Sequence, residues 1–281
     1  MIVRETDCRM TVMQVVESWE GGVRRHVRDL VSALDQSMFR CELALSLGRS
    51  PAGGEDELAW YGAHDVPVYE VPMRRGIAPF ADLAALWRLA RLIRRARPDL
   101  IHAHSSKAGF LARLAGGCCG VPVVYTPHAF AFLAAEGPHR RRLYRRLERL
   151  VRGHTAALIA VSEEEVWEAL GLGFDPSRVT LIRNGVRTVD VGPVIIRESG
   201  ELTVGFFGRL VRQKGPDLLL EAAADVVARL SHVRFRFFGE GALGPALRKR
   251  TEALGLEEHV RFEGECLPHE AVARMRETDV V

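Results

Sequence analysis

Lysine is nearly absent from this chain. Of 39 basic residues only Lys107, Lys214 and Lys249 are lysines, so each stands out against a background of arginine. Cysteine is also sparse: Cys8, Cys41, Cys118, Cys119 and Cys266 are odd in number and show no C-x-x-C spacing. Neither a disulfide framework nor a cysteine zinc site is indicated, and the thiols are expected to be reduced and buried. No apolar run approaches the roughly 20 residues that span a bilayer, and the start, Met1-Ile2-Val3-Arg4-Glu5-Thr6-Asp7, has no signal-peptide core. A cytoplasmic protein is the expectation. Strong charge of one sign is missing too. The net charge is +3, split as +5 over residues 1–188 and −2 over 189–281, which does not suggest nucleic-acid binding.

What is present is ample apolar material, 47% of 281 residues, more than one core usually organises. Short β-branched runs alternate with amphipathic stretches, the pattern of βαβ units on parallel sheets. Strands are predicted over 11–16, 41–47, 66–71, 100–102, 121–126, 157–161 and 179–182, with helices over 23–34, 80–97, 107–115 and 137–152. The pattern lapses after Asn184-Gly185 and restarts with strands over 203–207, 233–238 and 260–263 and helices over 216–230, 243–254 and 269–276. The predicted fold is α/β, with two Rossmann-like domains: residues 1–185, a connector over 186–200, and a partial second domain over 201–281. Thr278-Asp279-Val280-Val281 reads as the opening of a further strand.

Three glycine-bearing loops follow predicted strands. Gly21-Gly22 opens a helix, where free N–H groups attract phosphate; a plain tight turn is the alternative. Gly208-Arg209-Leu210-Val211-Arg212-Gln213-Lys214-Gly215 places a forked guanidinium and a compact ammonium at the carboxyl edge of the second sheet, where open α/β sheets bind ligands. Both charges can reach one diphosphate. Gly239-Glu240-Gly241-Ala242-Leu243-Gly244 has the letters of a dinucleotide fingerprint, with Glu263 about 20 residues on. It supports a rival reading, an NAD-dependent oxidoreductase, although it sits in the second βα turn of its domain rather than the first.

His128, in Thr126-Pro127-His128, closes a strand and can donate to a sugar hydroxyl or move a proton. His102-Ala103-His104 turns two imidazoles to one side if the strand continues, but no third metal ligand suggests itself. Ser162-Glu163-Glu164-Glu165 is a capping box. Residues 139–152 carry Leu143, Leu147, Leu150 and Val151 on one helical face among seven arginines. These leucines are expected to face the core, the alternative being contact with an anionic membrane.

Taken in order, these segments resemble the family-4 retaining glycosyltransferases of GT-B architecture. The matching pieces are Gly21-Gly22-Val23-Arg24-Arg25-His26-Val27, His102-Ala103-His104-Ser105-Ser106-Lys107-Ala108-Gly109, Tyr125-Thr126-Pro127-His128-Ala129-Phe130-Ala131-Phe132, Val161-Ser162, Arg183-Asn184-Gly185-Val186, Gly208-Arg209 with Lys214-Gly215, and Phe238-Gly239-Glu240-Gly241. The resemblance implies two domains facing across a cleft, and a nucleotide-diphosphate sugar donor, UDP- or GDP-linked, with no cofactor and no metal. It casts Arg209 and Lys214 as the diphosphate pair and Gly22 as a backbone donor to the same phosphates. His128 would bond the transferred sugar and Glu240 would lie near its hydroxyls, while Gly21, Asn184, Gly208, Gly239 and Gly241 complete the binding set. The implied acceptor is a glycan or a polyprenyl-diphosphate-linked glycan of cell-surface polysaccharide synthesis, met at the inner membrane face. Ala129 stands where the family commonly has glycine, a change expected to touch only acceptor fit. The family's E-x7-E glutamates fall beyond Val281, so the sequence as written carries the diphosphate grip and half of the donor pocket. A truncated, inactive nucleotide-binding fragment is therefore a further expectation.

Overall fold

The computed structural model describes residues 9–17, 19, 21–47, 54–74, 76–185, 200–266 and 268–281. Its contacts divide the chain into two units, Met1–Val186 and Arg187–Val281. Residues 186–199, nearly all of the expected connector, lie outside the described residues.

The first unit runs β1 (Met10–Val16), α1 (Gly21–Ala33), β2 (Phe39–Leu45), α2 (Gly54–Ala63), β3 (Val68–Glu70), α3 (Pro79–Ala96), β4 (Leu100–His104), α4 (Ser106–Cys119), β5 (Val123–Thr126), α5 (Pro138–Val151), β6 (Ala157–Ala160), α6 (Glu163–Gly171) and β7 (Val179–Leu181). The strands form one sheet in the order β3-β2-β1-β4-β5-β6-β7. Every pairing is parallel. Strand alternation sends Met13, Val15, Ile101 and Ala103 to one face, where they pack on Leu89 and Ile93 of α3 and Leu111 and Ala112 of α4. Val16, Leu43 and Leu45 pack on the other face against Val27 and Val31 of α1. With both faces covered the sheet is doubly wound, and its order reverses between β1 and β4.

The second unit runs β8 (Leu202–Phe207), α7 (Pro216–Val227), β9 (Val233–Phe238), α8 (Gly244–Ala253), β10 (Val260–Gly264) and α9 (Pro268–Arg276). Its sheet order is β10-β9-β8, again parallel. Val280 bridges in parallel to Val204, on β8, so the predicted strand opening pairs beside that strand. The core is built from Phe235, Phe237, Leu210, Leu220 and Leu247.

Two expectations are corrected here. Among the described cysteines only Cys41 is buried; Cys118 is exposed, and Cys119 and Cys266 are intermediate. Only part of the expected apolar face of α5 points to the core: Val151 is buried and Leu147 half-buried, while Leu143 and Leu150 are not. Leu143 and Leu150 are 45% and 72% exposed, and the buried residues of the helix are Glu148 and Val151. The cause is an ion pair. Arg113 of α4 is fully buried and its Nη2 lies 2.6 Å from Glu148 Oε2, while the Tyr125 hydroxyl donates to Glu148 Oε1 at 3.1 Å. A buried guanidinium needs that carboxylate, so α5 turns Glu148 inward, and Leu143 and Leu150, nearly half a turn away from it, turn outward.

Candidate functional site

In the first unit the site residues gather where the strand order reverses. Gln14 on β1 stands opposite His102 on β4 in register, and Val16 opposite His104. β4 continues to His104, so both histidines share the α1 face with their rings 4.1 Å apart. His102 Nε2 meets Thr126 Oγ1 at 2.8 Å, and His104 Nε2 meets Gln14 Oε1 at 2.8 Å. His104 Nδ1 lies 3.1 Å from His128 Nε2. His26 of α1 packs edge-on against His128, with ring centroids 4.7 Å apart. His26, His104 and His128 bring one ring nitrogen each within 4.8 Å of one another. The sequence paired His104 with His102 and offered no third ligand; the structure groups His104 with other histidines. The partners come from α1 and from the loop after β5, both remote in sequence, and not from His102.

Burial holds these rings neutral. His102 and His128 are lowered to about 3 and His104 falls well below its ordinary value, first by desolvation and then by the neighbouring imidazoles; His26 is lowered by burial as well. Unfolded, His102 and His128 would titrate near 6.5. Below that pH the unfolded chain binds more protons than the folded one, so stability is full above about pH 6.5 and is lost as pH falls toward 3. The expected slope is about 1.4 kcal/mol per pH unit for each of the two histidines. Urea midpoints at pH 7.5, 6.5 and 5.5 check it: little change over the first interval and a clear drop over the second.

The loop after β5 carries strain. His128 and Ala129 both have positive φ, 49° and 74°. Glu165 of α6 holds the turn by accepting from Ala129 N–H at 2.5 Å and from Val161 N–H at 2.9 Å, beyond the capping role of Ser162, whose Oγ accepts from Glu165 N–H at 3.3 Å. Ala129 therefore matters through backbone conformation, which corrects the expectation that only acceptor fit is touched. Ala129→Gly should stabilise the protein by about 1 kcal/mol, read as a higher urea midpoint.

Gly21 and Gly22 open α1, and a Cβ at either would meet nothing within 4 Å, so the space over this turn is open; only Gly21, at φ 59°, needs glycine for its conformation. Asn184 is exposed in the segment that follows β7. Lys107 is spent internally, donating to both oxygens of Asp82 at 2.7 Å.

In the second unit Gly208 follows β8 and the chain turns through a short 3-10 segment, Arg212–Lys214, into α7, with Gly215 in the left-handed conformation at the join. Arg209 and Lys214 are exposed at the carboxyl edge of the sheet. Among the described residues no acidic side chain pairs with either. Gly239 and Gly241 brace this loop. A Cβ on Gly239 would lie 2.1 Å from Gly208 O, and one on Gly241 would lie 2.4 Å from Leu210 O. Leu210 N–H donates to Glu240 O at 2.9 Å and Gly208 N–H to Phe238 O at 3.0 Å. These glycines are needed for loop against loop, while the Glu240 side chain is exposed beside them. The rival fingerprint also loses its ribose acid, since Glu263 is engaged by Arg236 Nε at 2.7 Å.

The family profile described as "Glycosyl transferase 4-like domain" matches residues 21–185, more than half of the chain. The chain belongs to this glycosyltransferase family. A second profile, "Glycosyl transferases group 1", matches residues 194–281. EpsD of Bacillus subtilis (strain 168) is 30% identical over 213 residues, 70% of this chain and 56% of EpsD. The Escherichia coli UDP-Gal:alpha-D-GlcNAc-diphosphoundecaprenol alpha-1,3-galactosyltransferase is 31% identical over 165 residues, 54% of this chain and 43% of that enzyme. Among solved structures, Anabaena HepE in complex with UDP and glucose superposes with a TM-score of 0.72 at 20% identity, covering 96% of this chain and 73% of HepE, a likeness of fold. This glycosyltransferase chain spans about half the length of the curated relatives it matches.

Gln14, His26 and Glu165 gather with the site residues although the sequence suggested no ligand role for Gln14 or His26 and only a capping role for Glu165. Gln14 carried a signal, a lone amide inside the apolar run Val12-Met13-Gln14-Val15-Val16.

Proposed function

We propose that this glycosyltransferase moves a sugar, with retention, from a nucleotide-diphosphate donor to a glycan or polyprenyl-diphosphate-linked acceptor in cell-surface polysaccharide synthesis. The observation that carries the proposal is the exposed Arg209 and Lys214, without an acidic partner among the described residues, on one glycine-braced loop at a sheet's carboxyl edge. Departure of the sugar builds charge on the diphosphate, and fixed cations that meet this charge lower the barrier. UDP is the favoured carrier, because the E. coli relative is named for UDP-Gal and HepE is described with UDP. In this reading Gly21 and Gly22 offer the amides of a helix start to phosphate, and Asn184 adds a polar contact to the ligand. His128 serves the sugar hydroxyls in the first unit, Glu240 in the second. A thermal-shift panel of UDP, GDP, ADP and NADH tests the reading. Stabilisation by UDP or GDP supports it, and stabilisation by NADH alone returns the oxidoreductase.

Among the described residues no helix is long and apolar enough to cross a membrane. The acceptor chemistry still calls for a bilayer surface, and the first unit offers one. On α5, exposed Leu143 and Leu150 stand among Arg140, Arg141, Arg142 and Arg146; on α3, Phe80, Leu83 and Trp87 are exposed at helical spacing, with Arg91 5.5 Å from the Trp87 ring centre. Apolar side chains flanked by arginine suit the interface of an anionic membrane. Sedimentation with phosphatidylglycerol vesicles should exceed that with phosphatidylcholine at least tenfold, and Leu150→Glu with Trp87→Glu should abolish the difference. Equal sedimentation with both lipids would remove the membrane from the account.

A further inference from the structure

The hydrogen-bond chain from Gln14 through His104 to His128 has a direction, and the direction decides what His128 can recognise. A neutral imidazole carries one N–H and one bare nitrogen, and the bond made by one nitrogen fixes the other. His104 is fully buried, and its Nε2 lies 2.8 Å from Gln14 Oε1, an atom that can only accept. Nε2 therefore holds the proton and Nδ1 is bare. The group 3.1 Å from that bare nitrogen is His128 Nε2, which must then be the donor. His128 in turn is left with a bare Nδ1, and among the described residues nothing bonds to it.

We propose that Gln14 and His104 are positioning residues that lock His128 in the Nε2–H tautomer, presenting its Nδ1 to the ligand as a hydrogen-bond acceptor. Such a nitrogen rewards a hydroxyl and gives nothing to a phosphate oxygen or a carbonyl, so the position selects a sugar hydroxyl over the anionic end of the donor. This sharpens the reading of His128 as a sugar contact, on which the identity of the ligand rests: the histidine accepts from the hydroxyl instead of donating to it. The surroundings keep the arrangement from titrating away. His26 packs edge-on against both His104 and His128, and His102 lies beside His104 with its own Nε2 at Thr126 Oγ1. Among the described residues no carboxylate bonds to Gln14, His104 or His128; Asp29 of α1 opposes the effect of burial at His26, but burial still lowers all four rings, so no imidazolium forms at neutral pH to turn Nδ1 into a donor. On β2, Cys41 lies next to the Gln14 amide, its thiol pushed up to about 11 by burial and so uncharged as well.

The test is long-range proton–nitrogen correlation NMR on the full chain with labelled histidine, the rings assigned with His104→Asn and His128→Asn. His104 and His128 are both expected as Nε2–H tautomers in the wild type. Gln14→Leu removes the acceptor at His104 Nε2, and the ratio of His128 tautomers should move at least tenfold toward Nδ1–H while the amide spectrum stays that of the folded protein. An Nδ1–H tautomer of His128 in the wild type overturns the proposal. So does a bare nitrogen at both facing positions, His104 Nδ1 and His128 Nε2, as a metal shared by the histidines would require, and so does a His128 tautomer unmoved in folded Gln14→Leu. The readout contains no nucleotide sugar, so its failure is separable from failure of the transfer reading, which nucleotide titration decides.

Discussion

Replacing Lys214 by alanine is expected to lower the rate of sugar transfer by about 10²–10³-fold, with a smaller effect on donor KM. The ammonium sits on a loop whose shape is set by other atoms: Lys214 N–H donates to Val211 O, and Gly239 and Gly241 close against Gly208 and Leu210. Among the described residues its side chain bonds to nothing, so the variant should melt within a degree or two of the wild type. The rate falls because the charge on the departing diphosphate is larger in the transition state than in the bound donor, and an interaction that grows along the reaction appears in kcat. Arg209→Ala should behave alike, and the double variant should cost less than the product of the two, since both cations meet the same phosphates. Lys214→Arg should recover only part of the rate, because a planar fork does not replace a compact point charge. Steady-state kinetics on the four variants checks these statements together.

The largest effect on stability is expected at Glu148. Removing its carboxylate leaves the fully buried Arg113 guanidinium without its ion partner, and breaking a buried pair in this way costs about 3–5 kcal/mol. Glu148→Ala should show a far lower urea midpoint at pH 7, if it folds at all. Replacing both partners, Arg113→Met with Glu148→Leu, removes the uncompensated charge and should restore most of the loss. A double variant as unstable as Glu148→Ala would mean that the pair does not act by charge compensation, and the explanation given for the rotation of α5 would fall with it.

That rotation shows where sequence reading stops. A stripe at 143, 147, 150 and 151 looks like a core face, because apolar periodicity on a helix usually marks burial. The deciding fact, a buried arginine waiting on α4, lies 35 residues away in sequence and has no periodicity of its own. The strands and the parallel α/β class were legible, since β-branched runs between helical stretches point to a parallel sheet, whereas the strand order with its reversal between β1 and β4 was not read. Gly208, Arg209, Lys214 and His128 were legible as groups at strand ends, and the structure places each at a carboxyl edge. Lys107 looked equally special by its rarity, yet Asp82 consumes it. The histidine chain was half legible. The pair on β4 could be seen once the strand was continued, whereas Gln14 and His26 join it only through register and helix packing, which no local pattern encodes.

The central claim is a grip on a diphosphate, and calorimetric titration of the full chain with UDP and with UMP tests it most directly. The account predicts that UDP binds the wild type at least 30-fold more tightly than UMP, that the gap shrinks below threefold in Lys214→Ala, and that rising salt narrows it in the wild type. Equal affinity for the two nucleotides, or a full preference for UDP surviving in Lys214→Ala, would contradict it.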